Sequence, residues 1–259
     1  MNKDYFLRFE SFTRLVGRGA IEKLFNAHFC VFGLGGVGSW AAEALARCGV
    51  GNITIVDFDN ISIRNSNRQI HAVEGEFNKP KVLAMKERLI KINPQCNITP
   101  VHKFFTYSNA DSILSARFDY VIDAIDSPSK KCLLAARCKI LGLPLIITGA
   151  SGGKFDPTMV KVSDLSEAYN DRLLQETRKK LRAKYDFPNA PQPMGIEAVF
   201  SIEPRRKPIL EPDADTEHDE QTGECNLICD DKPGTAVFVT ATFGFVAVSR
   251  AIGRFLGLL

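Results

Sequence analysis

Short apolar runs alternate with amphipathic stretches along the first 150 residues of the chain. Each run is bounded by polar residues or glycine and has the length of a strand in a sheet that is buried on both faces. From these runs we predict five strands, at residues 28–33, 52–58, 97–101, 119–125 and 143–150.

The stretches between these runs carry apolar residues at helical spacing. In residues 78–93, Val82, Met85 and Leu89 recur every three or four positions, and Pro94 provides a stop signal. We predict helices at residues 36–48, 78–93, 108–115 and 128–142. Strands that alternate with helices predict an α/β fold, here a Rossmann-like, doubly wound and mostly parallel sheet.

The pattern changes after Gly149. The sequence "GASGG" predicts a sharp turn, and residues 158–164 predict a strand that can run antiparallel to its neighbour. A charged helix is predicted at 165–185, a proline-rich loop at 186–194 and a further strand at 197–203. We therefore expect antiparallel strands to extend the sheet in the C-terminal part of the chain.

The chain is long enough for one such domain with insertions. We predict a single domain over residues 1–259, with a nucleotide-binding half at about 1–150 and a substrate and dimer half at about 151–259. Residues 204–232 are polar and poor in apolar side chains, and we predict a mobile loop there.

Residues 234–249 carry no charged side chain, although Arg250 and Arg254 follow. A membrane span needs ~20 apolar residues, and this segment is shorter and rich in β-branched residues. We predict a buried strand or core helix that ends against a subunit interface. The alternative is peripheral membrane contact through the same residues.

Composition indicates a soluble globular protein, with 45% hydrophobic and 24% charged residues and a net charge of +3. The cysteine count is odd, and the charged N-terminus lacks the apolar core of a secretory signal. We therefore expect a cytoplasmic protein in a reducing compartment, without a disulfide framework. The cysteines are Cys30, Cys48, Cys96, Cys132, Cys138, Cys225 and Cys229.

Two basic clusters stand out from this mild net charge. One lies on the predicted charged helix and the other follows the strand at 197–203. A solvated helix face and a loop are the simpler interpretation, and phosphate contacts to a nucleic acid are the alternative. The clusters are Arg178, Lys179, Lys180, Arg182 and Lys184, and Arg205, Arg206 and Lys207.

A glycine-rich turn follows the first predicted strand and opens the first predicted helix. It contains Gly33, Gly35, Gly36 and Gly38, followed by Ser39. Glycines allow the backbone to turn tightly and approach a phosphate, which then faces the N–H groups of the helix N-terminus. Glycines that serve only helix–strand packing are the alternative.

Asp57 ends the second predicted strand 19 residues after Gly38, where a carboxylate can accept hydrogen bonds from ribose hydroxyls. Together with the glycine turn, it predicts a bound adenosine phosphate. These features alone leave both NAD and ATP open.

Polar and basic residues after Asp57 favour a triphosphate. Asn65, Arg68 and Gln69 follow within a dozen residues, and Lys81 lies near the start of the next predicted helix. Adjacent phosphates need fixed cations and donors, whereas a hydride-transfer site has no evident use for them. Asp126 follows the fourth predicted strand, where a carboxylate can hold Mg²⁺ beside phosphate oxygens.

These motifs, in this order and spacing, resemble those of the ubiquitin-activating-enzyme-like adenylyltransferases. The motifs are "GLGGVGSW", "DFD", "NRQ", "NKPK" and "DAIDS". Within that superfamily the chain is most similar to the tRNA threonylcarbamoyladenosine dehydratase branch. Supporting segments run from about Arg8 to Ser249, and the resemblance weakens between 186 and 232. They are "RLVGRGAIEKL", "GGVGSWAAEALARCGVG", "NRQIHA", "INPQC", "VIDAIDS" and "VTATFGFVAVS".

The resemblance implies roles for individual residues. Arg68 and Lys81 would contact the triphosphate, Asp126 would ligate Mg²⁺, and Arg14 would reach the ATP of the partner subunit in a homodimer. For Arg14 an ordinary surface position on an amphipathic helix is the alternative. The implied nucleotide-binding set is Gly33, Gly35, Gly36, Gly38, Ser39, Asp57, Asp59, Asn65, Arg68, Lys81 and Asp126.

The resemblance also implies the activity, which is ATP-dependent adenylation of a carboxylate on tRNA followed by cyclisation. The basic clusters would then contact tRNA. Adenylation of a ubiquitin-like sulfur-carrier protein is one alternative, and an NAD-binding redox or regulatory protein is another. The sequence leaves two further points undecided. One is whether a sulfur-transfer system of the cysteine-desulfurase type assists the enzyme, and the other is whether a monovalent cation orders the loop after Gly149.

The cysteine pattern bears on a metal site and on a reactive thiol. The chain lacks the paired CxxC motifs that hold structural zinc, so we predict no zinc. Cys229 lies on the predicted mobile loop, where the resemblance places a reactive cysteine. Asp230 and Asp231 beside it would disfavour its thiolate, so an incidental surface thiol is the alternative.

Overall fold

Seven strands form one sheet in the order β3-β2-β1-β4-β5-β7-β6 in the computed structural model, which describes residues 1–209 and 233–259. Neighbouring strands from β3 through β7 run parallel, and β6 pairs antiparallel with β7 at the edge. The strands are β1 (His28–Phe32), β2 (Asn52–Asp57), β3 (Asn97–His102), β4 (Tyr120–Asp123), β5 (Leu145–Thr148), β6 (Val160–Asp164) and β7 (Glu197–Ser201).

Helices cover both faces of the sheet and contribute to the two larger hydrophobic clusters of the described residues. α1–α5 and α9 belong to one cluster and α6–α8 to the other. The doubly wound, mostly parallel fold predicted from the apolar pattern is confirmed. The helices are α1 (Lys3–Arg8), α2 (Glu10–Val16), α3 (Arg18–Asn26), α4 (Gly38–Arg47), α5 (Lys81–Ile92), α6 (Ala110–Leu114), α7 (Pro128–Leu141), α8 (Arg172–Lys184) and α9 (Val237–Leu256).

The sheet reverses its strand order between β1 and β4. The chain proceeds from β1 outward to β3 and then returns to β4 on the other side of β1. The register aligns Phe32, the last residue of β1, with Val56 of β2 and Asp123 of β4. Ligands of such folds bind at this crevice, outside the carboxyl ends of the strands. The turns that follow β1, β2 and β4 therefore converge on one place.

The uncharged segment near the C-terminus forms the first part of α9, as a core helix. Gly244 lies against α4, where an added Cβ would sit 2.7 Å from the carbonyl oxygen of Val37 and 3.0 Å from the amide of Ala41. Length and composition alone would allow Val237–Leu256 to cross a membrane, but 56% of its apolar window is buried inside the protein. Close packing against α4, β4 and β5 favours the core-helix prediction over membrane contact.

The start of the predicted charged helix differs from the structure by several residues. The charged helix predicted from residue 165 begins at Arg172, because Asn170 has a positive φ of 55° and the Asp171 side chain caps the helix through the Leu174 amide. The antiparallel extension predicted for the C-terminal part is confirmed, because β6 pairs antiparallel with β7, while β7 itself pairs parallel with β5. One sheet thus contains strands from both predicted halves. That one half binds the nucleotide and the other the substrate and a second subunit stays a prediction.

Candidate functional site

Tight backbone packing shapes the glycine turn between β1 and α4. Gly33 has a φ of 85°, and an added Cβ would lie 2.8 Å from the carbonyl oxygen of Ala124. A Cβ on Gly38 would overlap the carbonyl oxygen of Gly33. Both positions need glycine for the fold itself, because Gly33 lies directly against the turn after β4 and Gly38 lies directly against Gly33.

Gly35 and Gly36 differ from that pair. An added Cβ at Gly35 would meet no atom within 4 Å, so the space beside the turn is open. A Cβ at Gly36 would approach the Arg68 side chain at 3.2 Å and Thr240 at 3.1 Å. The helix N-terminus behind them leaves backbone N–H groups without intrahelical partners, which suits an anion. Ser39 is buried in the first turn of α4.

The Asp57 carboxylate holds the glycine turn in place. Its Oδ2 accepts a hydrogen bond from the Leu34 amide at 2.6 Å, and its Oδ1 accepts one from the Asp59 amide at 2.8 Å. A carboxylate has about four acceptor positions, so two backbone bonds leave capacity for ribose hydroxyls. Asp57 therefore orients the turn and also lies where the sequence predicts the ribose acid.

Asn65 and Arg68 lie on the segment after β2. Asn65 caps a 3₁₀ turn, with its Oδ1 accepting from the Ser62 amide at 2.9 Å. The Arg68 guanidinium donates to the Arg64 carbonyl at 2.9 Å and to Asn67 Oδ1 at 2.8 Å. Because its aliphatic stem packs on Gly36, Arg68 is next to the glycine turn, as predicted for a phosphate contact.

Lys81 is buried at the first residue of α5, and its Nζ is 2.8 Å from Asp59 Oδ2. The Lys81 amide also donates to the Asp59 carbonyl at 3.0 Å. The Asp59 side chain remains 46% exposed, so the carboxylate end of this pair faces solvent while the Lys81 side chain is enclosed. The structure thus brings together the predicted residues of β2, the following segment and α5.

Asp126 lies on the turn between β4 and α7 and is exposed. Within the described residues its carboxylate has no hydrogen bond or ion pair, unlike Asp57 and Asp59. An unengaged carboxylate at the carboxyl end of a central strand fits the donor that Mg²⁺ prefers. The predicted metal ligand is therefore placed where a cation could reach it.

One predicted residue, Arg14, is not brought to this site within the described part of the chain, and another, Cys229, falls outside that part. Arg14 is exposed on α2 and pairs with Glu10 at 2.5 Å, so contact with ATP would require a second subunit, as the resemblance implied. Cys229 lies outside the described residues, as does most of the predicted mobile loop. Of that loop only residues 204–209 are described.

Buried charge beneath the site was missed from the sequence. Lys131 of α7 and Asp123 of β4 are fully buried, with Nζ 3.1 Å from Asp123 Oδ1. Burial raises the pKa of Asp123 and lowers that of Lys131, while their mutual attraction opposes both shifts. The signal available in the sequence was an acid that ends an apolar run, followed eight residues later by a lysine on the next helix.

Comparison with known proteins decides the family. The model of the ThiF family matches residues 10–257 of this chain. The chain belongs to the ThiF family.

Several relatives of this ThiF-family chain carry the same name. The tRNA threonylcarbamoyladenosine dehydratase of Escherichia coli is 41% identical over 95% of this chain and 92% of its own. The enzyme of the same name from Haemophilus influenzae is 40% identical over 98% and 95%. A crystal structure of the E. coli enzyme, TcdA, in complex with ATP is 38% identical, with a TM-score of 0.87 over 99% of this chain and 96% of that one.

Basic side chains of the ThiF-family chain divide into engaged and exposed ones. Arg178 donates to the carbonyls of Leu165 and Ala168, and Arg182 donates to that of Pro188. These arginines serve α8 itself. Lys179, Lys184 and Lys207 are exposed, and they are the better candidates for contact with a polyanion.

Metal and cysteine chemistry is limited in residues 1–209 and 233–259. No group of three or more His, Cys, Asp or Glu side chains there is placed to hold a metal ion. Cys30, Cys48, Cys96, Cys132 and Cys138 are free thiols, and burial raises the pKa of each. Cys225 and Cys229 lie outside the described residues, so the absence of zinc stays a prediction.

His71, just after the "NRQ" motif, should make the fold sensitive to acid. Burial, with Lys81 and Arg88 nearby, lowers the pKa of its imidazole from 6.5 to about 3. Between these two values the unfolded chain binds the proton and the folded chain does not. We therefore expect the free energy of unfolding to fall as the pH drops from about 6.5, by up to about 1.4 kcal/mol per unit. Urea unfolding at pH 7 and pH 5 measures this change, and His71→Gln should show a shallower dependence. An equal slope in both proteins would contradict the assignment.

Proposed function

We propose that this chain is an ATP-dependent tRNA threonylcarbamoyladenosine dehydratase. Its two steps are adenylation of the threonine carboxylate and cyclisation of the product. The observation that carries the proposal is the convergence of the open glycine turn, Arg68, Lys81 and Asp126 at the strand-order reversal. The name and the ATP complex of the E. coli relative support it.

In the first step an oxygen of the threonine carboxylate attacks the α-phosphorus of ATP, and pyrophosphate leaves. In the second step the carbamoyl group of the same modified base attacks the acyl carbon and gives up a proton, and AMP leaves with the carboxylate oxygen. The net change in the tRNA is the loss of one water. Cleavage of ATP to AMP and pyrophosphate drives this loss.

The protein's part in adenylation is to position reactants and to neutralise charge. The glycine turn and the N-terminus of α4 would face the phosphates, and Asp57 would accept from the ribose. Arg68 and Lys81 would balance the charge of the triphosphate and of the departing pyrophosphate. Neighbouring groups of the chain already hold both cations in place, so their side chains lose little conformational freedom when they bind a ligand.

Mg²⁺ fits the exposed and unengaged carboxylate of Asp126, because this ion uses one or two carboxylates together with phosphate oxygens. When bound with ATP it would neutralise part of the phosphate charge. Asp126 would hold it at the β4 edge of the site.

A homodimer completes the proposal. Exposed Arg14 would reach the ATP of the partner subunit. Partly exposed apolar residues of α9, among them Phe238 and Phe245, offer surface for a second copy. The tRNA would lie across Lys179, Lys184 and Lys207, which makes binding salt-sensitive. Help from a sulfur-transfer system and a requirement for a monovalent cation stay predictions, as does a role for Cys229.

Mass spectrometry of the tRNA tests the proposed function most directly. tRNA that carries threonylcarbamoyladenosine should lose one water from that nucleoside after incubation with the protein, ATP and Mg²⁺. The matched control is the same tRNA without the threonylcarbamoyl group, which should remain unchanged and should not promote AMP formation.

Pyrophosphate exchange into ATP separates the alternatives. Exchange that requires the modified tRNA supports the dehydratase. Exchange that requires a ubiquitin-like sulfur-carrier protein would instead support the carrier-activating alternative. Failure to bind ATP, or reduction of NAD, would contradict both adenylating activities.

A further inference from the structure

Asp123 and Lys131 form a charge pair that closes the turn carrying Asp126. Asp123 is the last residue of β4, and Lys131 lies in the first part of α7, so the pair joins the two ends of that turn. Nζ of Lys131 lies 3.1 Å from Asp123 Oδ1 and 3.3 Å from the Asp123 carbonyl oxygen. Neither side chain has exposed surface.

A pair buried in this way is costly for folding. Removing two charges from water costs several kcal/mol per ion, and apolar residues of similar volume often serve stability equally well. One oxygen of Asp123, Oδ2, has no hydrogen-bond partner, which adds to the cost. The free energy of folding alone therefore does not account for a buried charge pair at this position. The hydrogen bonds that the pair makes to the backbone indicate a second role.

The pair fixes the backbone on both sides of the turn. Asp123 Oδ1 also accepts from the Ile125 amide at 2.9 Å, and Thr148 donates its hydroxyl to the Asp123 carbonyl at 3.1 Å. The Ala124 amide donates to the Phe32 carbonyl of β1 at 2.8 Å. Every residue from Asp123 to Ile125 is thus held, and Asp126 follows with its side chain unengaged.

The same turn sets the packing of the glycine turn. The carbonyl of Ala124 occupies the space where Gly33 would carry a Cβ, and the Ala124 methyl lies 3.1 Å from the position of a Cβ on Gly38. A shift of the turn would therefore move the Asp126 carboxylate relative to the predicted phosphate position. The charge of Asp126 also acts on Lys131. Burial lowers its pKa, and attraction to Asp123, Asp171 and Asp126 opposes that change.

We propose that Lys131 is a positioning residue which, through Asp123, presents the Asp126 carboxylate to the metal ion that accompanies ATP. This inference rests on the proposed function. It does not require Lys131 to touch ATP or tRNA, because the side chain is enclosed by protein.

Calorimetric titration of ATP, with Mg²⁺ and with chelator, tests this positioning role. The measured quantity is the dissociation constant of ATP with chelator divided by that with Mg²⁺. This ratio reports how much the metal contributes to ATP binding, and it requires no turnover. We expect Lys131→Met to reduce that ratio about 10- to 100-fold, as loss of a residue that orients a metal ligand typically does. Asp126→Ala should reduce it to the same level. Lys139→Met, at the far end of α7, should leave it unchanged.

A second variant is needed because Lys131→Met leaves the buried Asp123 charge without a partner, which can prevent the protein from folding. The double variant Asp123→Asn with Lys131→Met buries no unpaired charge, and we expect it to fold and still to lack the metal-dependent gain. A wild-type ratio in a folded Lys131 variant would overturn the inference while ATP binding itself persists. A wild-type protein that binds no ATP would instead overturn the proposed function, and this inference with it.

Discussion

Asp126→Ala should lower the rate of tRNA dehydration roughly 10²- to 10³-fold, the usual cost of removing one group that stabilises developing charge. Asp126 is exposed and unengaged, so its removal should leave the melting temperature unchanged. The measurement is the rate of water loss from the modified nucleoside at saturating ATP and Mg²⁺.

Asp111→Ala is the matched control for this prediction. Asp111 is also an exposed carboxylate, and its pair with Arg137 at 3.5 Å is a surface contact worth about 0–1 kcal/mol. The control should retain wild-type activity. Full activity in Asp126→Ala would show that the metal assignment is wrong.

The Asp126→Ala variant also tests the prediction that Arg14 of one subunit completes the ATP site of the other. A heterodimer of one Asp126→Ala chain and one Arg14→Ala chain contains one site with both residues intact. We therefore expect activity to appear when the two inactive proteins are unfolded together and refolded. Activity that stays absent in such heterodimers would place Arg14 outside the partner's site.

Gly38→Ala should abolish ATP binding and destabilise the fold by roughly 3 kcal/mol or more. Its Cβ would overlap the carbonyl oxygen of Gly33, and backbone that packs against the β4 turn cannot move aside. Thermal unfolding measures the stability, and titration with ATP measures the binding.

Gly35→Ala provides the comparison for this glycine prediction. Its Cβ would point into open space, so the melting temperature should remain that of the wild type. ATP affinity should nevertheless fall, because the methyl group would enter the predicted phosphate space. A stable Gly35→Ala protein with unchanged ATP affinity would place the phosphates elsewhere.

Local sequence patterns were sufficient for most of the fold. The apolar run at residues 28–33 predicted β1, and the spacing of Val82, Met85 and Leu89 predicted α5. Both patterns arise from burial against a sheet, which imposes a period on the residues themselves. The start of α8 was wrong by several residues, because the Asp171 cap competes with a charged pattern that continues on both sides of it.

The site was predictable to the extent that its residues follow strand ends. Asp57, Lys81 and Asp126 were named from their positions after strands or at helix starts, and the structure places them at the end of β2, at the start of α5 and on the turn after β4. Their partners were not predictable. The bond from Leu34 to Asp57, the pair of Asp59 with Lys81 and the stem of Arg68 on Gly36 each join segments far apart in the chain.

By itself the sequence determined an alternating α/β chain with a glycine turn, an acid at the ribose position and enough cationic residues to favour a triphosphate. Composition and spacing carry that information because strands and helices have fixed periods. Only the tertiary structure decided which glycines serve the fold and which leave space for a ligand. It alone revealed the enclosed Asp123–Lys131 pair, since burial depends on what the rest of the chain places around a residue.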